Sequence, residues 1–417
     1  MSKPNVLIIG GGIIGLSCAY YLRKRGAEVT VLEMNDVGNG SSMHNAGYVC
    51  PSHFIPLAAP GVFTQGLKWM LNPASPLYIK PRLDLDFLAW SFRFARSCNQ
   101  RVVQRAMPIL RDLLLESQKL YEQLLRDETI DCDYQKRGLT LLFNSEKGRA
   151  SASHEAEVSN KLGIQARILD RNGLHEMDAS VEFVAHGGVH FPGDAMLVPA
   201  KFVKNLALLL EKQGVVIHRN CRVESFKREG GRIARVGTTS GMFEADEFVL
   251  AGGAWSPLLA RDLGIRMSLQ AGKGYSITYK NPPLIPKLPY IFSERRAAIT
   301  PFAEAIRIAG TMELAGISTT INQRRVEAIL DAIPFYIKNI QRPESSKGEI
   351  WGGMRPVTPD GMPYVGRFKQ VPNLIAATGH AMIGVCLAPV TGTIISEIIS
   401  GESNKRDLSL IDPNRFN

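Results

Sequence analysis

The chain's 417 residues, 45% hydrophobic and 21% charged, suffice for a large core and two or three domains. A formal charge of +10 favours anionic surroundings, but the basic residues are scattered, with Arg23-Lys24-Arg25 the longest run, and no nucleic-acid module is expected. No apolar run approaches the roughly 20 residues of a spanning helix, and the first four residues lead straight into a strand pattern, so no cleavable signal is expected.

Asn5-Val6-Leu7-Ile8-Ile9 reads as a strand, followed by Gly10-Gly11-Gly12-Ile13-Ile14-Gly15, a helix over 16–25, and a strand over 29–32 that finishes on Glu33. That order predicts a dinucleotide-binding βαβ unit. Gly10 permits the tight turn, Gly12 lets a pyrophosphate approach the backbone, and Gly15 lets the helix pack on the strands. The helix N-terminus presents free N–H groups to phosphate, and Ile13 and Ile14 in the turn before it are candidate cofactor contacts. Glu33, with Met34 beside it, lies 18 residues past Gly15. Its carboxylate suits a ribose diol and repels a 2′-phosphate, which points to FAD or NAD and away from NADP.

A polar, glycine-studded loop over 36–47 comes next, then a Pro-rich segment over 51–81 that cannot be one long helix. Helices are predicted over 85–94 and 102–125, a strand over 138–143, a helix over 146–162, a strand over 186–191 and a helix over 199–213. Strand patterns at 215–218, 221–226, 232–236 and 241–243 lead to a strand over 247–251, which ends on Gly252-Gly253-Ala254 with a helix from Trp255. This second glycine turn implies a nucleotide sheet completed by distant segments. Strands dominate 267–317, a helix is predicted over 322–338, and the last elements fall between 373 and 400. Six separated cysteines without a C-x-x-C pair argue against zinc, iron–sulfur clusters and a disulfide framework, and no metal site is expected.

Five stretches resemble the FAD-dependent D-amino-acid oxidase, glycine oxidase and sarcosine oxidase superfamily. They are residues 10–33, 41–47, 249–255, Gly352-Gly353-Met354-Arg355-Pro356 with its continuation to Gly366, and 379–392. Two more, Ala58-Ala59-Pro60-Gly61 with Lys68-Trp69-Met70 and Gly272-Lys273-Gly274-Tyr275-Ser276-Ile277, resemble the bacterial membrane-associated D-amino-acid dehydrogenases. The resemblance implies an α/β fold: a Rossmann-like FAD-binding domain (1–84, 145–267, 345–417) and a discontinuous antiparallel-sheet α+β substrate domain (85–144, 268–344). It also implies non-covalent FAD, oxidative deamination of a D-amino acid, and electron delivery to a quinone-type acceptor. Alternatives are a D-proline or hydroxyproline dehydrogenase, a sarcosine or glycine oxidase, and a flavoprotein subunit of a hetero-oligomer. The expected location is cytoplasmic, with peripheral contact at the inner face of the cell membrane as a further option.

Arg355 lies in an apolar, Gly/Pro-dense segment where an isolated guanidinium is costly to bury. A substrate carboxylate is one partner that resolves this; an internal acid or backbone carbonyl is the other. Gly379, His380, Met382, Ile383, Gly384 and Val385 lie between a strand at 374–377 and a helix at 391–399, where backbone N–H groups would face the flavin. Ser41, Ser42, Asn45, Ala46 and Gly47 match the loop that contacts pyrophosphate and ring, while Val223, Ala251, Gly252, Gly253 and Trp255 match further FAD contacts. His44 departs from the dehydrogenase pattern: it is either an ordinary polar residue or the site of a covalent flavin link. Tyr48, His53 and Tyr275 are candidate pocket walls, and Arg295, Arg296 and Arg307 either add positive charge near the pocket or, as the preferred reading, are solvated strand-edge residues. The apolar insert over 54–80, with Phe54, Leu57, Phe63, Trp69, Met70, Leu71 and Tyr78, reads as lid or core, or as a lipid contact.

Overall fold

The computed structural model of the chain describes residues 3–69, 75–80, 82 and 84–416; Met70 and Leu71 of the insert lie outside them. Strand Asn5–Ile9 is central in a six-stranded sheet ordered Tyr364–Phe368, Val371–Thr378, Glu247–Leu250, Asn5–Ile9, Glu28–Leu32, Val216–His218. Neighbours run parallel except the outer pair Tyr364–Phe368 and Val371–Thr378. Parallel strands are covered on both faces and so read as unbroken apolar runs. Val6 and Ile8 enter the core with the first helix, Ile13–Lys24. Leu7 and Ile9 pack on the opposite side with Ile233 and Val236 of the meander Val223–Glu229, Arg232–Thr238, Gly241–Glu244. Helix Gly384–Ser400 lies against the first helix so closely that a Cβ on Gly392 would sit 2.5 Å from the Ser17 carbonyl oxygen.

A second, nine-stranded sheet runs Glu349–Val357, Gln270–Lys280, Ala305–Leu314, Ala297–Phe302, Tyr290–Phe292, Leu139–Phe143, Gly187–Phe191, Arg167–Asp170, with Leu77–Ile79 pairing Ala305–Leu314. It is largely antiparallel. Its strands at 77–79, 167–170, 187–191 and 349–357 fall in stretches that the sequence grouped with the nucleotide unit, so sheet membership crosses the expected boundaries.

Three helices differ from expectation. The run over 322–338 is two short helices, Gln323–Leu330 and Ile333–Tyr336: Pro334 has no N–H to continue the first ladder and sits in the first turn of the second helix. The first helix starts at Ile13, not 16, and the last at Gly384, not 391. Pro389 hid the true start of the last helix. Its missing N–H frees the Val385 carbonyl, which accepts the Tyr121 hydroxyl at 2.8 Å instead. Among the described residues no helix is long and apolar enough to cross a membrane.

Candidate active site

Between the two sheets lies a cavity of about 1510 Å³, larger than the ~300–1,000 Å³ of most small-molecule pockets. At one end the backbone does the work. Gly10 has φ +115°, and a Cβ there would fall 2.5 Å from the Ala251 carbonyl oxygen, so only glycine lets the first strand leave the sheet beside its neighbour. Gly12 caps the first helix without a side chain. The free Ile13 N–H is met instead by the Ser42 hydroxyl at 3.0 Å, from the loop over 36–47.

Glu33 is buried at this end; its Oε2 accepts from Gly11 N at 2.7 Å and its Oε1 from Asn35 N at 3.0 Å. Burial pushes its carboxyl up, against the pull of those N–H groups. Met34, Val223, Ala251, Gly252, Gly253 and Trp255 complete this wall. Gly15 is behind it: a Cβ would lie 1.9 Å from the Gly10 carbonyl oxygen, so its role is packing helix on strand.

A second helix start faces the same cavity. Ile383, Gly384, Val385 and Cys386 line it, and the helix Gly384–Ser400 has no side-chain cap. The approach is bent by Gly379 (φ +82°) and Ala381 (φ +44°), with Ala381 N donating to the Pro356 carbonyl at 3.0 Å. Met382 is 47% exposed at the cavity edge. His380 is committed to Thr391 Oγ1 at 2.9 Å, and burial pushes its imidazole down to about 3, so it is neutral.

The loop over 41–47 ties the halves together. Ser41 Oγ donates to the Met354 carbonyl at 2.6 Å, next to Arg355, and Asn45 Oδ1 accepts from Gly47 N at 2.9 Å. Ala46 and His44 line the cavity; Gly47 and Gly379 shape turns outside the wall. The His44 ring stacks on Trp351 at 4.7 Å. Arg307 is no solvated edge residue: it is buried and donates from Nη1 to the Asn45 and Met43 carbonyls at 2.7 and 3.1 Å, bracing this loop. Arg296 also lines the cavity, whereas Arg295 stacks over Phe335.

Arg355 marks the other end. Its Nη1 donates to the Thr311 carbonyl at 2.6 Å, and no carboxylate among the described residues lies within ion-pair distance. Burial pulls its pKa down to about 10, so it is charged at neutral pH. The bed for this guanidinium is Gly274. A Cβ there would lie 2.0–2.1 Å from three guanidinium atoms. The pairing of Gln270–Lys280 with Ala305–Leu314 slips between Lys273 and Tyr275, and Thr311 sits at φ +65° opposite the slip. A bulge thus turns the Thr311 carbonyl toward Arg355. Sequence reasoning quoted Gly274 within a motif but gave it no role; the local signal was only a glycine in a strand.

The proposed wall residues are present but partly occupied. Tyr275 donates its hydroxyl to Glu313 at 2.8 Å, within a buried group that includes Lys273 (3.9 Å) and Arg325 (3.6 Å). Tyr48 Oη accepts from Thr300 Oγ1 at 3.0 Å. His53 is driven down to about 4 by burial and neighbours Ser52 Oγ at 3.3 Å. Ser52 in turn donates from N and Oγ to Asp194 at 3.2 and 2.5 Å. Burial raises Asp194 to about 7. Cys50, His53 and Asp194 bring ligand-type atoms within 4.8 Å of one another, a proximity the cysteine spacing gave no hint of.

A βαβ cradle and a second helix start opening on one large chamber define a dinucleotide-binding α/β protein. The particular family follows from comparison. The chain belongs to the DAO family, FAD dependent oxidoreductases, whose pattern matches residues 5–398. It is 32% identical to a D-amino acid dehydrogenase of Methylobacterium radiotolerans over 96% of both chains. It is 31% identical to one of Xanthobacter autotrophicus over 99% of both. Among solved structures, glycine oxidase from Geobacillus kaustophilus shares the fold with TM-score 0.78 at 21% identity, covering 100% of this chain and 99% of that one. L-proline dehydrogenase from P. horikoshii gives TM-score 0.74 at 19% identity, covering 100% and 98%. The residues suit the family's FAD: a glycine cradle that a Cβ would fill, an acid at the second strand's end, and a chamber long enough to take in two helix starts.

Proposed function

We propose that this chain oxidatively deaminates a D-amino acid to a 2-oxo acid and ammonia. One observation carries the reading: the buried Arg355 guanidinium, without an acid partner among the described residues, lines the chamber that also contains the dinucleotide cradle. The near-full-length likeness to relatives named D-amino acid dehydrogenase supports the substrate class. FAD, when bound, supplies the acceptor for the hydride leaving the substrate's α-carbon.

The chain's own residues do the rest. Gly10, Gly12 and Ile13 admit the pyrophosphate to the first helix start, Ser42 offers it a hydroxyl, and Glu33 takes the ribose diol. Gly384 and Val385 lend the partial positive charge of the last helix to the ring's electron-rich edge. Arg355 binds the substrate carboxylate in bidentate fashion. Gly274 and the Thr311 carbonyl fix where that happens, which orients the α-carbon. Tyr48, Tyr275 and the neutral His53 wall the pocket without adding charge beside the amine. Water takes the ammonium proton and later hydrolyses the imine, so no side chain is assigned as base. FAD is held non-covalently, with His44 a wall residue stacked on Trp351. Electrons pass to a quinone-type acceptor, and the chain is cytoplasmic, with peripheral contact at the inner face of the cell membrane as the further option.

The test is anaerobic mixing of the yellow protein with D-amino acids, their L forms, D-proline, hydroxyprolines and sarcosine. Bleaching by D-amino acids ahead of the others is expected; bleaching by imino acids or sarcosine alone would transfer the protein to that class. Readmitting oxygen then separates oxidase from dehydrogenase.

A further inference from the structure

The chamber does not end at Arg355. Strands Glu349–Val357, Gln270–Lys280 and Ala305–Leu314 lie side by side, with Gly272 paired to Arg355 and Gln270 to Val357. Alternation therefore puts Arg355, Val357, Gly272 and Gly274 on one face. Gly274 lies under the guanidinium, and Gly272 is about 7 Å further along the strand. A Cβ on Gly272 would meet Met312 Sδ at 2.3 Å, Val357 Cγ2 at 2.8 Å and Leu314 Cδ2 at 3.6 Å. A cation and an apolar patch are thus neighbours on one face.

The patch is the floor of a lobe. Edge strand Leu77–Ile79 extends it, with Leu77 beside Met312 and Ile79 beside Leu314. Helix Val62–Trp69 closes over Leu77 at Gly66, where a Cβ would lie 3.1 Å from Leu77 Cδ2, and it brings in Phe63. From helix Leu85–Ser97, Trp90 and Phe94 stack at 5.0 Å. The Trp90 indole N–H is committed to the Val357 carbonyl at 3.0 Å, so this side chain offers the lobe only its ring. All of these side chains pack as one cluster and line the chamber that Arg355 lines. Charge is sorted to the other face. Lys273 and Glu313 alternate with the lobe residues along their strands and form a group with Arg325, which stacks over the Tyr78 ring at 4.4 Å. None of those four lines the chamber.

We propose that this lobe takes the substrate's side chain, so that the preferred substrates are D-amino acids with large, uncharged, apolar side chains. Met312, Leu314 and Phe63 then set specificity. The proposal rests on the reading that Arg355 holds the substrate carboxylate. With the carboxylate fixed there, the apolar substituent of the α-carbon enters the lobe, while the amine, costly to bury without a partner, stays outside it. Glycine or sarcosine would leave the lobe unfilled, and a charged side chain would be stranded in it.

The FAD-loaded full chain allows a test that needs no turnover. Straight-chain carboxylates from propanoate to hexanoate are titrated as ligands of Arg355, with flavin absorbance as the readout. Kd is expected to fall roughly fourfold per added methylene, about sixtyfold across the series. In turnover, kcat/KM should rise by similar steps from D-alanine to D-norleucine, with D-aspartate and D-lysine below both. Met312→Gln, close in size but polar, and Phe63→Ser, on the half-buried helix, should each cut the hexanoate-over-propanoate preference by at least about fivefold. If the first variant fails to fold, the second decides. A Kd that stays flat with chain length, no binding at all, or a preference that survives in both variants overturns the proposal. Turnover of D-alanine, D-aspartate or D-lysine ahead of D-norleucine would also overturn it while leaving the proposed reaction intact. Tightening of the carboxylate series without any D-amino-acid turnover would refute the reaction and leave the lobe standing.

Discussion

The two ends of the cavity are built in different ways. At the dinucleotide end, backbone shapes the site: Gly10 and Gly12 with the first helix start, the strand end at Glu33, and a second helix start at Gly384, each set within its own short stretch of sequence. At the Arg355 end, one side chain is held by groups from two other strands, Gly274 and the Thr311 carbonyl. A backbone-built site announces itself in a short motif, because local geometry dictates residue type. A site seated by tertiary contacts leaves almost no local trace. The first tolerates variation in side chains and none in its glycines; the second should fail through small displacements of one guanidinium.

Breaking the backbone-built end should have the largest effect. Gly10→Val adds a branched side chain at φ +115° and 2.5 Å from the Ala251 carbonyl oxygen, and is expected to yield colourless protein. Absorbance of the purified variant against native protein checks this. At the other end, Gly274→Ala should keep the yellow colour yet lower kcat/KM roughly a hundredfold, since it shifts Arg355 by about an ångström. FAD content and kinetics measured on one preparation separate the two ends.

Asp194 sharpens the comparison through pH. Its folded pKa of about 7 lies above the ordinary carboxylate value because burial disfavours the charge. Between about pH 4 and 7 the folded chain therefore holds a proton that the unfolded chain has released, so stability falls as pH rises through that window. Asp194→Asn should flatten the slope, worth roughly 4 kcal/mol at most, in urea unfolding at several pH values. The smallest effect is expected at His44: acid precipitation of native protein should release all the yellow colour to the supernatant, and His44→Ala should do the same.

Legibility followed the same division. The first βαβ unit, Glu33 and the stretch that becomes the last helix start were readable because periodicity, glycine spacing and a terminal acid are properties of adjacent residues. Most residues named for the cofactor do line the chamber. Gly15, Gly47 and Gly379 serve packing and turns just behind it, a distinction that sequence spacing does not contain. Arg307 was misread as an edge residue because alternation along a strand does not say which face a distant loop will cover. The seat of Arg355 was missed because it depends on a slip in register between strands some 40 residues apart, Tyr275 pairing Gly310 and Lys273 pairing Glu313. Pro334 and Pro389 misled in opposite directions: one broke a predicted helix, and the other sits inside a real helix where Tyr121 satisfies the freed carbonyl.

The most direct test pairs a D-amino acid with the amine that lacks its carboxylate, turned over by native protein and by Arg355→Met at equal FAD content. Loss of one partner of a buried charge pair costs about 3–4 kcal/mol, so amino-acid kcat/KM should fall by about two to three orders of magnitude while amine turnover changes by less than about fivefold. Equal amino-acid turnover by both proteins would show that the carboxylate is held elsewhere and would contradict the account.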